Sequence, residues 1–146
     1  MTIEIRVLGE GDAAVLDNVA EDVFDNDIDP DMAQRFLADS AHHIAVALED
    51  DVVIGMASAN DYLHPDKPVQ FWVNEMGVAP SHQRRGIGKR LLRRILDLAR
   101  DLGREEVWLG TEDDNVAARA LYKSLDGEEE SFVMYTYDLS DKEEAQ

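Results

Sequence analysis

The sequence predicts an α/β chain, a central mixed sheet flanked by helices, in the order β-α-α-β-β-β-α-β-α-β. Three observations carry this reading. Apolar and polar residues alternate near both ends, over Ile3–Leu8 and Ser131–Leu139, which is strand periodicity. Between Ile87 and Leu102 apolar residues recur at helical spacing, with arginines on the opposite side. The turn Gln83-Arg84-Arg85-Gly86-Ile87-Gly88 joins that helix directly to the apolar stretch Phe71–Val78. One hundred and forty-six residues suit a single domain, expected over residues 1–140 and followed by a polar tail over 141–146.

In the first strand Ile3, Ile5 and Val7 share one side, and Glu4 and Arg6 the other. Gly9–Asp12 turns the chain, and Asp12 can cap a helix over Ala13–Val23, in which Leu16, Val19, Ala20 and Val23 fall on one face. The Asx-rich run Asp25–Asp31 is loop chemistry. A second helix starts at Pro30 or Asp31, since proline is tolerated in a first turn, and runs to about Asp39 with Met32, Phe36 and Leu37 facing inward. His43–Leu48 and Val52–Asn60 form a hairpin around Glu49-Asp50-Asp51. Tyr62–Pro68, with two prolines, reads as a loop. Gln70–Val78 is the central strand, and Pro80 ends it because proline cannot donate to a ladder. Gly103 stops the long helix. Glu106–Gly110 is a short buried strand, parallel to the central one because a helix connects them. Asn115–Leu125 is a helix with Val116, Ala120, Leu121 and Leu125 inward. Ser131–Leu139 is the terminal strand.

Charge restricts the partners. Thirty-two acidic residues against 14 basic ones give a net charge of −18, which repels nucleic acid over most of the surface. Six of the 14 basic residues (Arg84, Arg85, Lys89, Arg90, Arg93, Arg94) nevertheless fall within eleven positions at the basic turn. A positive spot on a negative protein suits an anionic cofactor and a cationic second substrate. The global charge also fits plain solubility or a salty cell interior, given only four lysines. There is no cysteine, so disulfides, thiolate metal sites and a cysteine nucleophile are excluded. The N-terminus reads as a strand and not a signal peptide, and no apolar run approaches membrane-spanning length. A cytoplasmic protein without membrane contact is expected.

The basic turn is an anion cradle by its chemistry. Gly86 and Gly88 let the backbone turn tightly and approach a ligand. The first amides of the following helix lack intrahelical partners, and the helix dipole adds positive potential there. A P-loop would need glycine where Gln83 stands, and Ser or Thr where Arg90 stands. A dinucleotide fingerprint would need glycine at Leu91. Both readings fail. A glycine-containing turn with merely solvated basic residues stays open on these six residues alone.

Gln/Arg-x-x-Gly-x-Gly/Ala after a Val-x-Pro strand end resembles the acetyl-CoA motif of the GCN5-related N-acetyltransferases, the GNAT superfamily. A second segment, Asn115-Val-Ala-Ala-Arg-Ala-Leu-Tyr122-Lys-Ser-Leu125, resembles that family's Asn-x-x-Ala-x-x-Leu-Tyr-x-x-x-Gly-Phe, and the element order is the family's over almost the whole chain. There is one departure. The family's Leu-Gly-Phe is Leu125-Asp126-Gly127-Glu128 here, so the usual aromatic is missing or replaced by Phe132.

The resemblance implies a GNAT fold and transfer of acetyl from acetyl-CoA to a primary amine, by direct attack in a ternary complex and without a metal. Gln83, Arg84, Arg85, Gly86, Ile87, Gly88 and Lys89 would hold the pyrophosphate. Backbone groups of Met76 and Val78 would bond the pantetheine arm and the acetyl oxygen, on a strand that splays from the next. Asn115 would touch the pantetheine, cap its helix, or do both. Tyr122 occupies the position of the family's general acid. Glu75, one residue before Met76, is the candidate base or amine-binding carboxylate, with His64 and His82 as alternatives. His42 and His43 point apart in a strand, against a shared metal site.

Val23-Phe24-Asp25, Tyr62-Leu63-His64-Pro65 and Glu129–Asp138 resemble the aminoglycoside 3-N-acetyltransferases. The acidic loop (Glu21, Asp22, Asp25, Asp27, Asp29, Asp31) would suit a polycationic small-molecule acceptor, or is simply solvated. Acetylation of a protein N-terminus or lysine is the enzymatic rival. A CoA-binding sensor without turnover is the rival from another class. Family members often dimerise through late strands, and Phe132–Tyr137 offers apolar material for a homodimer.

Overall fold

A computed structural model describes residues 2–140; the tail expected over 141–146 lies outside the described residues. Its sheet is five-stranded, in the order β1-β2-β3-β4-β5, with β1 Glu4–Val7, β2 His42–Glu49, β3 Val52–His64, β4 Lys67–Val78 and β5 Val107–Trp108. Strands β1 to β4 are antiparallel neighbours. β5 runs parallel to β4, as expected of strands joined by a helix. The β2–β3 turn places Asp50 and Asp51 at φ 52° and 64°, the left-handed pair that a two-residue hairpin turn requires.

Helix α2, Ile87–Asp101, lies over the sheet and buries Ile87, Leu91, Leu92, Ile95 and Ala99, each large side chain contributing about 2 kcal/mol of transfer free energy. Gly55 on β3 makes room for it: a Cβ there would stand 3.1 Å from the Leu91 Cδ1. The helix ends as its glycine predicts. Gly103 is left-handed at φ 78°, its N–H bonds the Arg100 carbonyl, and the Arg104 N–H bonds that of Ala99, which satisfies carbonyls the helix leaves open. Leu102, expected inward, is exposed at the C-cap just before this stop.

Helix α1, Pro30–Ala38, is capped by Asp29, whose carboxylate accepts from the Asp31 and Met32 amides. It buries Ala33 and Leu37 but leaves Met32 54% exposed. Helix α3, Val116–Ser124, has no fully buried residue. Val116 is 76% exposed and Ala120 is also exposed; Tyr122 and Leu125 pack against the core, and Leu121 is half-buried.

Three expectations fail. The first helix is only a 3-10 turn over Ala13–Asp17. β4 leaves β3 at Gly55, so the buried Val53 has backbone groups with no strand on that side. Residues 18–20 satisfy them: Val53 N–H bonds the Asn18 carbonyl, and Ala20 N–H bonds that of Val53. This demand on buried backbone overrides the helical spacing. Second, most of the loop expected over Tyr62–Pro68 is strand, because the β3–β4 ladder continues to His64 opposite Lys67. Third, Ser131–Leu139 joins no ladder. The short β5 offers two residues of edge, and Phe132, Val133, Met134, Tyr135, Tyr137 and Leu139 stay 68–90% exposed.

Candidate active site

The site begins where β4 loses a neighbour. β5 pairs with β4 only at Phe71 and Trp72, so Val73 to Val78 have no β5 partner. On the other side a bulge at Asn74 separates the pairs Ala59–Val73 and Ser58–Glu75, and a bulge bends and re-aims a strand. Met76 and Val78 stay in register with Ala57 and Gly55. β4 is therefore unpaired on its β5 side at the end that runs into the basic turn.

That turn carries left-handed backbone at two positions. Gln83 is extended, Arg84 is left-handed at φ 63° and Gly86 at φ 77°. A left-handed arginine costs about 1 kcal/mol or more. Arg90 makes the first intrahelical bond, to the Gly86 carbonyl, so the amides of Ile87, Gly88 and Lys89 precede it and emerge at the positive end of α2. Arg84 and Lys89 have no ion-pair partner among the described residues, whereas Arg85 approaches Glu49 at 3.9 Å. The Gln83 side chain donates to the Val78 carbonyl at 3.1 Å, tying turn to strand. Arg90 is diverted to the Ile3 carbonyl.

Helix α3 comes to the same place. A Cβ on Gly88 would stand 3.6 Å from the Leu121 Cδ2 and 4.0 Å from the Val78 Cγ2, so the start of α2, the end of β4 and Leu121 meet. Tyr122 follows Leu121, half-buried, and burial pushes its phenol above the ordinary tyrosine range. Its hydroxyl makes no hydrogen bond with another described residue. The Asn115 side chain caps α3 through the Ala118 amide at 3.0 Å. Beyond α3, Asp126 stands left-handed at φ 66°, and the Gly127 N–H bonds the Tyr122 carbonyl at 3.0 Å. A Cβ on Gly127 would press on that same oxygen at 2.9 Å. The Phe132 ring reaches Gly110 but does not fill a buried aromatic position.

Glu75 is exposed on β4, next to Met76. His64 is far from it, at the turn of the β3–β4 hairpin, bonded to Asp66 at 2.5 Å. His82 lies beside the cradle, but its ring is held between Ser81 and Glu49, both at 2.7 Å. His42 approaches Asp39 while His43 faces Asp61 and stacks on Phe71. No cluster of three or more His, Asp or Glu side chains suited to a metal occurs among the described residues.

An open groove of about 880 Å³ lies before α1, lined by Asp17, Glu21, Asp22, Asp25 and Asp27 with Phe24 and Ile28. Asp29, grouped with these acids in sequence, is spent on capping α1. Two contacts around the site carry no local sequence signal. The Val23 carbonyl packs against Gly77 so closely that any Cβ there would collide with it, which brings the groove loop against β4 two residues from Glu75. Glu49 and His82 meet across 33 residues of chain.

The Acetyltransferase (GNAT) family matches residues 14–126. In sequence the chain is 38% identical over 96 residues to the N-alpha-acetyltransferase RimI of Mycobacterium tuberculosis, covering 66% of this chain and 58% of that protein. It is 35% identical over 86 residues to the L-amino acid N-acyltransferase MnaT of Escherichia coli, covering 59% and 50%. The chain thus spans between half and three-fifths of the length of these relatives. In structure it is similar, with a TM-score of 0.79, to the aminoglycoside acetyltransferase meta-AAC0020 from an uncultured soil metagenomic sample in complex with sisomicin, over 94% of this chain and 97% of that one. At 22% identity that likeness concerns the fold.

Proposed function

The chain belongs to the GNAT acetyltransferase family, and we propose that it transfers acetyl from acetyl-CoA to a primary amine on an aminoglycoside or another polycationic small molecule. One observation carries this reading: the end of β4 that β5 leaves unpaired, which we read as the family's splay, runs directly into the left-handed Arg84–Gly86 turn and the free amides of α2. A thioester arm entering the splay would leave its diphosphate on that turn. Arg84, Arg85 and Lys89 add charge to the amides of Gln83 through Lys89, and the backbone of Met76 and Val78 holds the arm and polarises the carbonyl oxygen.

In the proposed reaction the neutral amine attacks the thioester carbon, the C–N bond forms and the C–S bond breaks. Tyr122 gives its phenolic proton to the departing sulfur, and the amine loses its extra proton to solvent or Glu75. Asn115 turns its free amide NH₂ toward the arm while its oxygen caps α3. The acidic groove supplies affinity for positive charge. The setting is the cytoplasm, without nucleic acid or membrane, and the exposed run Phe132–Leu139 is the surface through which two copies associate.

The similarity to RimI favours a second acceptor class, a protein N-terminus. Release of CoA thiol across aminoglycosides, polyamines and peptides separates the readings. An aminoglycoside or polyamine turned over with a kcat/KM of about 10⁴ M⁻¹s⁻¹ or more supports the first, and preference for a peptide N-terminus supports the second. Binding of acetyl-CoA with no turnover on any amine would sink both, and leave a CoA-binding sensor.

A further inference from the structure

We infer that Glu49 is a positioning residue for the cofactor cradle, acting through His82 and Arg85; this rests on the proposed cofactor site. Glu49 ends β2, outside the strand–turn–helix unit that forms the cradle. One carboxylate oxygen bonds the His82 Nε2 at 2.7 Å, and the other faces the Arg85 guanidinium at 3.9 Å. The His82 Nδ1 is bonded in turn to the Ser81 hydroxyl at 2.7 Å. The Glu49 and His82 side chains are only 16% and 15% exposed, so water competes weakly with this contact.

The position of the contact gives it its role. Ala79 is fixed to β3 through the Ile54 carbonyl at 2.8 Å, and the chain re-enters regular structure at the Gly86–Arg90 bond. Between these anchors, Gln83 to Arg85 must hold a left-handed arginine that relaxes unless its surroundings prevent it. Glu49 grips the segment on both sides of Arg84, at positions 82 and 85. It keeps the cradle amides pointed before any anion arrives, which lowers the ordering cost of binding.

The inference predicts a separation of kinetic effects. Glu49→Ala should raise the KM for acetyl-CoA, and the Kd for CoA measured by calorimetry, by about tenfold, with kcat and the acceptor KM changed less than about twofold. Glu49→Gln, which can still bond His82 but attracts Arg85 less, should fall between wild type and Glu49→Ala. His82→Ala should resemble Glu49→Ala. Loss of fold alone would lower the melting temperature and the active fraction without moving KM. An unchanged KM in folded Glu49→Ala overturns the inference, and so does tighter CoA binding by Glu49→Gln, which would make the carboxylate an opponent of the anion. If wild type binds no CoA, the cofactor site itself fails, and this is a different result from equal binding by wild type and variants.

Discussion

Tyr122 lies on the inward side of α3, and the contact between Leu121 and Gly88 brings that side to the cradle. Burial disfavours its phenolate, so its proton is held more tightly than that of an ordinary tyrosine, as the proposed general acid requires. Tyr122→Phe should lower kcat by about a hundredfold or more while the acetyl-CoA KM stays within about twofold. In wild type, kcat should show no alkaline decline from this group until above the ordinary tyrosine range. Full kcat in Tyr122→Phe would remove the residue from the reaction. Four residues on, just past the end of α3, the chain departs from the family's pattern: Asp126 takes the left-handed position where the pattern has glycine. Asp126→Gly should therefore raise stability by about 0.5–1 kcal/mol in urea unfolding, and a loss would mean that the aspartate contributes more than its backbone strain costs. The residues of the cradle and α3 are readable in sequence because their chemistry is local. Glu49 and Val23 are not, because each reaches the site through a contact distant in sequence.

Among the elements, α2 and the hairpin β2–β3 follow the sequence because periodicity and turn chemistry agree there. The segment after β1 does not. Its helical spacing loses to the backbone groups of Val53, which residues 18–20 satisfy. The turn after α2 is held to β3 by a different device. Arg104, just past the Gly103 stop, donates to both oxygens of Asp61 at 2.9 and 3.1 Å, with side chains 20% and 14% exposed. Burial pushes the Asp61 carboxyl up, but Arg104 and His43 outweigh it and hold the group below the usual carboxylate range. A lowered folded pKa contributes stability above the unfolded value, and that stability is lost as pH falls through the folded value. Asp61→Asn should cost about 2 kcal/mol at neutral pH, and the gap from wild type should close under acid conditions. A pH-independent gap would show that packing, not the ion pair, holds the clamp.

At the scale of the whole molecule, the net charge of −18 agrees in sign with the acid-lined groove before α1. The alternation of Ser131–Leu139 is plain in sequence, yet it forms no strand, since alternation fixes a conformation and not a partner. With six large apolar side chains in water, this run is more than a monomer ordinarily exposes. Sedimentation should give a mass near twice the 16.4 kDa of one chain, and Val133→Asp with Tyr135→Asp should return it to that of one. A wild-type monomer would contradict the proposed association.

The central claim is that the turn from Gln83 to Gly88 binds the diphosphate of acetyl-CoA, and calorimetric titration with CoA tests it most directly. Wild type should bind with a Kd of about 1–100 µM. Nothing lies within 4 Å of a Cβ placed on Gly86, but its φ of 77° strains any side chain there, so Gly86→Asp both adds negative charge and disturbs the turn, and should abolish binding. Equal binding by wild type and Gly86→Asp would contradict the account and move the anion elsewhere.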